Sequence, residues 1–207
     1  MLDFIHPIAQ EKLHQQVQHL APCRLRFSFL AAIPSVEQEC EKAISQIDIK
    51  LTSVAYSFMM GDFDTVIKES REALSQTDYP QKYKNFFESY LIRSIVLTDT
   101  DLSREELEDR LNELTITDPT LAEKTKKVCL ALYDLTIAHQ SNDYFEDLSN
   151  DFKYQQLEII YYQALNATLK GDQHRANDLF HKLISEDESL YIVRKAKQYL
   201  KDEGRHL

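Results

Sequence analysis

Two dipeptides, Gly61-Asp62 and Gly171-Asp172, use two of only three glycines in a chain of 207 residues. Each closes one helix-like run and opens another. A glycine just past a helix end reaches the left-handed conformation at least cost. The Asp that follows can cap the next helix. Three glycines and five prolines are too few for the turns of an all-β fold, and long helices exclude both residues. The spacing therefore predicts an all-α protein made of helical hairpins.

The hairpins occupy residues 34–188. Pro34-Ser35 opens a helix that reaches Met60, with a break near Asp48 left open, and Glu37, Glu39 and Glu41 suit its positive end. After Gly61-Asp62, Val66, Ile67, Ser70, Ala73 and Leu74 share a face. A second hairpin starts with Tyr83, Phe86, Phe87, Tyr90, Leu91, Ser94 and Ile95 at helical spacing. Ser103 with Glu106 forms a capping box before Leu107, Leu111 and Leu114. Asp118-Pro119 starts the third, whose stripe is Leu121, Val128, Leu132 and Leu135. Ser141-Asn142-Asp143 turns the chain into a short helix marked by Tyr144, Phe145 and Leu148. The fourth has Leu157, Ile160, Tyr161, Ala164, Leu165 and Thr168 before Gly171, and Ala176, Leu179, Phe180, Leu183 and Ile184 after it. Residues 189–207 read as a capping helix bearing Leu190, Val193, Ala196 and Leu200, with Lys and Arg frequent along it. Residues 1–33 form an N-terminal segment expected to pack on the array. A helix after Pro7 carries Ile8, Leu13, Val17 and Leu20, and 23–33 is either a helix or an extended connection.

The turns near 61, 99, 142 and 171 are about 38, 43 and 29 residues apart, around the period of solenoids built from helix pairs. The two glycine hairpins resemble tetratricopeptide repeats. After Gly61, Phe63 supplies the aromatic and Ala73 and Leu74 match; after Gly171, Ala176 supplies the small residue and Phe180, Leu183 and Ile184 match. Ala164 fits the small position of the preceding helix, with Val54 as its bulkier counterpart. The middle hairpins lack the glycine. The resemblance implies a right-handed array of antiparallel helix pairs with a C-terminal capping helix. It also implies a concave face lined by the first helix of each pair. Counting back from each glycine, that face holds Asp48, Leu51, Ala55 and Phe58 in the first hairpin, and Glu158, Tyr161, Leu165 and Thr168 in the fourth. The lysine-and-asparagine clamp with which some members hold a C-terminal carboxylate is not evident at these positions.

Charge and chemistry narrow the functional classes. Lys and Arg total 24 against 34 Asp and Glu, a net charge of −10 that repels a phosphate backbone, so no nucleic acid is expected. Cys23, Cys40 and Cys129 are odd in number and lack a CxxC, which argues against disulfides and zinc and fits a reducing, cytoplasmic setting. Apolar runs such as 29–33 are far below a membrane span, and the start lacks the basic region of a signal peptide. His14 and His19 fall on different helix faces; His174 and His181 share one but without the HExxH pattern of a metal site, so neither metal nor cofactor is expected. No phosphate loop or nucleophile elbow is present. The leading expectation is a non-enzymatic module that binds a protein or peptide, with a homodimer left open. Tyrosines suit a groove wall, since they combine contact area with a hydroxyl. Two alternatives are a peptide-responsive regulatory sensor and an enzyme with a helical-bundle active site.

Overall fold

The computed structural model describes the backbone of residues 34–148 and 153–203, and side chains from Ile44 to Asp202 outside 149–152. The expectations for 1–33 lie outside the described residues. The described residues are all-helical, with eight α-helices, one 3-10 turn and no strand. The helices are α1 (Pro34–Met60), α2 (Phe63–Ser75), α3 (Gln81–Thr98), α4 (Arg104–Asn112), α5 (Pro119–Thr136), α6 (Lys153–Leu169), α7 (Gln173–Ile184) and α8 (Tyr191–Glu203). Internal contacts divide the chain into Met1–Asp48 and Ile49–Leu207. In the first unit, Ile47 is buried and Asp48 half-buried. The second unit holds the rest of α1 and all the later helices.

The two glycine turns share one construction. Gly61 N donates to Phe58 O at 3.0 Å and Asp62 N to Ser57 O at 2.9 Å. Gly171 N donates to Thr168 O at 3.0 Å and Asp172 N to Ala167 O at 2.9 Å. Both are Schellman motifs, with φ of 74° and 77° at the glycines. Asp62 and Asp172 then each accept a hydrogen bond from the backbone N–H three residues on, at Thr65 and Arg175. Ser103 caps α4 through Glu106 N, and Asp118 caps α5 with Pro119 in its first turn. The cap signals in the sequence thus place these helix starts.

The helices pack mostly in chain order. α2 lies on α3, α3 on α5, α5 on α6, α6 on α7 and α7 on α8, with α4 beside α5. One apolar core runs from Ile92 to Ala196, and its largest fully buried members include Tyr162, Phe180, Leu107 and Leu132. α8 buries Ile192, Val193 and Ala196 in this core. Its first turn also reaches back to the Gly61 turn. The Tyr191 ring meets Phe63 edge-on at 5.0 Å, and Arg194 donates to Met60 O at 2.6 Å.

The third hairpin departs from expectation. In place of a short helix near Tyr144, the described chain makes a single 3-10 turn, Asp143–Phe145. Polar side chains hold this turn. Asn166 on α6 accepts from Asn142 N at 2.9 Å and donates to Asp143 at 3.0 Å and to Glu146 at 2.6 Å. Gln163 donates to the carbonyls of Phe145 and Glu146. Lys170 and Arg175 pair with Asp143 and Glu146. Backbone groups that a helix would satisfy internally are satisfied here by α6.

Candidate interaction site

The structure gathers part of the expected concave set and spends it internally. Phe58 of α1 and Glu158 of α6 meet at Arg93 of α3. The Arg93 guanidinium lies over the Phe58 ring at 4.6 Å and donates to Glu158 at 2.5 Å. Tyr90 packs on Phe58 with ring centres 5.4 Å apart. Tyr161 is buried, with its ring against Tyr162 and Phe180. Leu165 is half-buried against the core, and the Thr168 hydroxyl lies 3.1 Å from the Tyr199 hydroxyl. Leu51 and Ala55 are half-buried on α1. Asp48 belongs to the first unit. Phe58, Glu158 and Tyr161 are therefore interior groups.

Electrostatics agree with a sealed centre. Burial disfavours the Arg93 charge, but the facing Glu158 carboxylate and the smaller contributions of Tyr162, Tyr90 and Cys129 together outweigh it and hold the guanidinium pKa above its ordinary value. Burial also lifts the Tyr162 and Tyr154 phenols well above the usual tyrosine range. It pushes the Cys129 thiol up to about 12, with Arg93 acting in the opposite direction. Such a thiol stays protonated and unreactive at neutral pH. Arg93 was not among the residues expected from sequence. Its signal was available: it continues the face of Phe86 and Tyr90, seven and three residues before it.

A surface feature emerges when the two glycine hairpins are aligned on their glycines. Ile49 then corresponds to Ile159, and Tyr56 to Asn166. On α6 both positions are interior, at 8% and 1% exposure. There Asn166 is engaged by the preceding 3-10 turn. On α1 the same positions are 67% and 47% exposed. Seven residues apart, Ile49 and Tyr56 share one face of the helix, with Ser53 exposed between them. The stripe carries no charge, in a chain where 28% of residues are charged. The sequence holds this stripe too, but burial there depends on a neighbouring element that no local pattern encodes.

Other features offer less. A shallow open depression at the start of α5 is lined by Pro119, Thr120, Glu123, Lys124, Lys127 and Tyr144. Lys127 is already paired with Glu123 at 3.1 Å. Among the described residues no group of three His, Cys, Asp or Glu side chains is placed to hold a metal ion, and no described helix is long and apolar enough to cross a membrane. The class the structure defines is an all-α protein of packed helices. No family model, curated protein or solved structure matches this chain.

Proposed function

We propose that this chain is a non-enzymatic protein- or peptide-binding module built on tetratricopeptide-like hairpins, and that the outer face of α1 is its binding surface. The observation that carries the reading is the contrast between Ile49 and Ile159, and between Tyr56 and Asn166. The same face of a matched helix is covered in one hairpin and bare in the other. Stacked helical units bury a continuous core, so a helix face in such a stack is either polar or has a partner. An exposed isoleucine and tyrosine on an uncharged stripe fit the second condition. Tyrosine is also a residue that interfaces favour, giving a rigid apolar body and a hydroxyl at the rim. The interior positions Phe58, Glu158 and Tyr161 then act as the scaffold that holds α1 in place.

The test is binding by the purified 207-residue chain and by its Ile49→Glu and Tyr56→Ala variants, read by cross-linking with mass-spectrometric mapping. Circular dichroism should show unchanged helicity in both variants, since neither side chain is in the core. Cross-links from the α1 face should disappear from both. Cross-links that map elsewhere and survive both substitutions would remove α1 from the binding surface.

A further inference from the structure

We propose that the occupant of the α1 face is a second copy of this chain, paired antiparallel through α1 about a two-fold axis beside Ser53. The proposal rests on the reading of that face as a binding surface and adds the identity of the partner. A two-fold interface needs a patch that complements itself. With the axis between residues 52 and 53, Ile49 of one copy lies opposite Tyr56 of the other, and the reverse contact follows by symmetry. An aliphatic knob thus meets an aromatic surface twice. Thr52 and Ser53, both exposed, fall at the crossing point, where small side chains let two helices approach closely.

Charge selects the same face. Each chain carries a net −10, so two copies repel through most surfaces. The stripe from Ile49 through Ser53 to Tyr56 has no ionisable carboxylate or ammonium, so contact there desolvates no charge. Met60, half-buried on the same helix face, extends the stripe by one turn. From Ile49 to Met60 the helix rises only about 17 Å. A patch of that length sits at the weak end of specific interfaces, so the dimer forms and dissociates with concentration.

The experiment uses the full chain with Cys23→Ser and Cys40→Ser, which leaves the buried Cys129 as the remaining native thiol. In sedimentation the chain should move with rising concentration from the 24.2 kDa monomer toward twice that mass. Ser53→Cys should give a covalent dimer on mild oxidation, because equivalent residues beside a two-fold axis come within disulfide reach. Gln198→Cys, on the exposed side of α8, should not. Ile49→Lys or Tyr56→Glu alone should shift dissociation at least tenfold toward monomer. The two together should restore the dimer, since the introduced ammonium and carboxylate face each other across the axis. A chain that stays monomeric at every concentration overturns the proposal, as does Ser53→Cys oxidising no faster than Gln198→Cys. If single α1 variants still abolish binding to another protein in that case, the surface reading survives with a different occupant. If they change no binding, both fail.

Discussion

Gly61 and Gly171 make the same turn, yet replacing them by alanine should cost different amounts. At Gly171 an added Cβ meets nothing within 4 Å. The Gly171→Ala variant therefore bears only the left-handed backbone, at φ 77°. That conformation costs an L-residue about 1–2 kcal/mol, partly offset by about 0.4–1 kcal/mol from a stiffer unfolded chain. The net loss is about 1 kcal/mol. At Gly61 the backbone cost is the same, but an added Cβ would lie 2.5 Å from the Tyr191 ring and 2.8 Å from the Tyr191 Cβ. Neither contact is tolerable, and the second cannot be relieved by turning the ring. The first turn of α8 would have to move, breaking the Arg194 bond to Met60 O and the Phe63–Tyr191 contact. Overpacking of this kind costs a further ~1–3 kcal/mol. Urea unfolding followed by circular dichroism should give Gly61→Ala a loss of about 2–4 kcal/mol, against about 1 kcal/mol for Gly171→Ala. Equal losses would refute the docking of α8 on the first turn, since that docking is what distinguishes the two sites.

Three further perturbations reach the interior and the surface charges. Arg93→Ala should destabilise by about 3–5 kcal/mol by stranding the Glu158 carboxylate, whereas Arg93→Met combined with Glu158→Leu should recover most of it in thermal unfolding. His139 holds φ of 51° just past α5, so His139→Gly should stabilise by up to about 1 kcal/mol, read as a higher urea midpoint. Asp143 is held below the usual carboxylate range by hydrogen bonds from Lys170 and then Asn166, Asp187 by the Ser189 N–H, and Glu188 by Lys197. Carboxylates with lowered folded pKa values contribute stability that is complete above their unfolded values near ~4 and is lost as pH falls through the folded ones; melting temperature should drop there, and less steeply in Asp143→Asn.

What could be read from the sequence divides by distance along the chain. The caps at Asp62, Ser103, Asp118 and Asp172 act over two or three residues, so a local pattern locates them. The left-handed glycines act over five. Asn166 and Arg93 work differently. Asn166 bonds to Asn142, 24 residues away, and Arg93 to Glu158, 65 residues away. Neither partner is implied by spacing, and each looks like an ordinary polar residue on a helix until the fold supplies its counterpart. The expected concave residues met the same limit. Counting back from a glycine correctly pairs Asp48 with Glu158 and Phe58 with Thr168 as register positions, but register does not fix environment. Glu158 is interior because Arg93 arrives from α3, and Phe58 because Arg93 and Tyr90 arrive with it. Ile49 and Ile159 are the sharpest case: the same residue type, at the same place in matched hairpins, is bare in one and covered in the other. Only the neighbour differs. An exposed position whose matched counterpart is core therefore says more about a missing neighbour than either residue says alone, and on α1 the three such positions, Ile49, Thr52 and Tyr56, stand together with no charge among them.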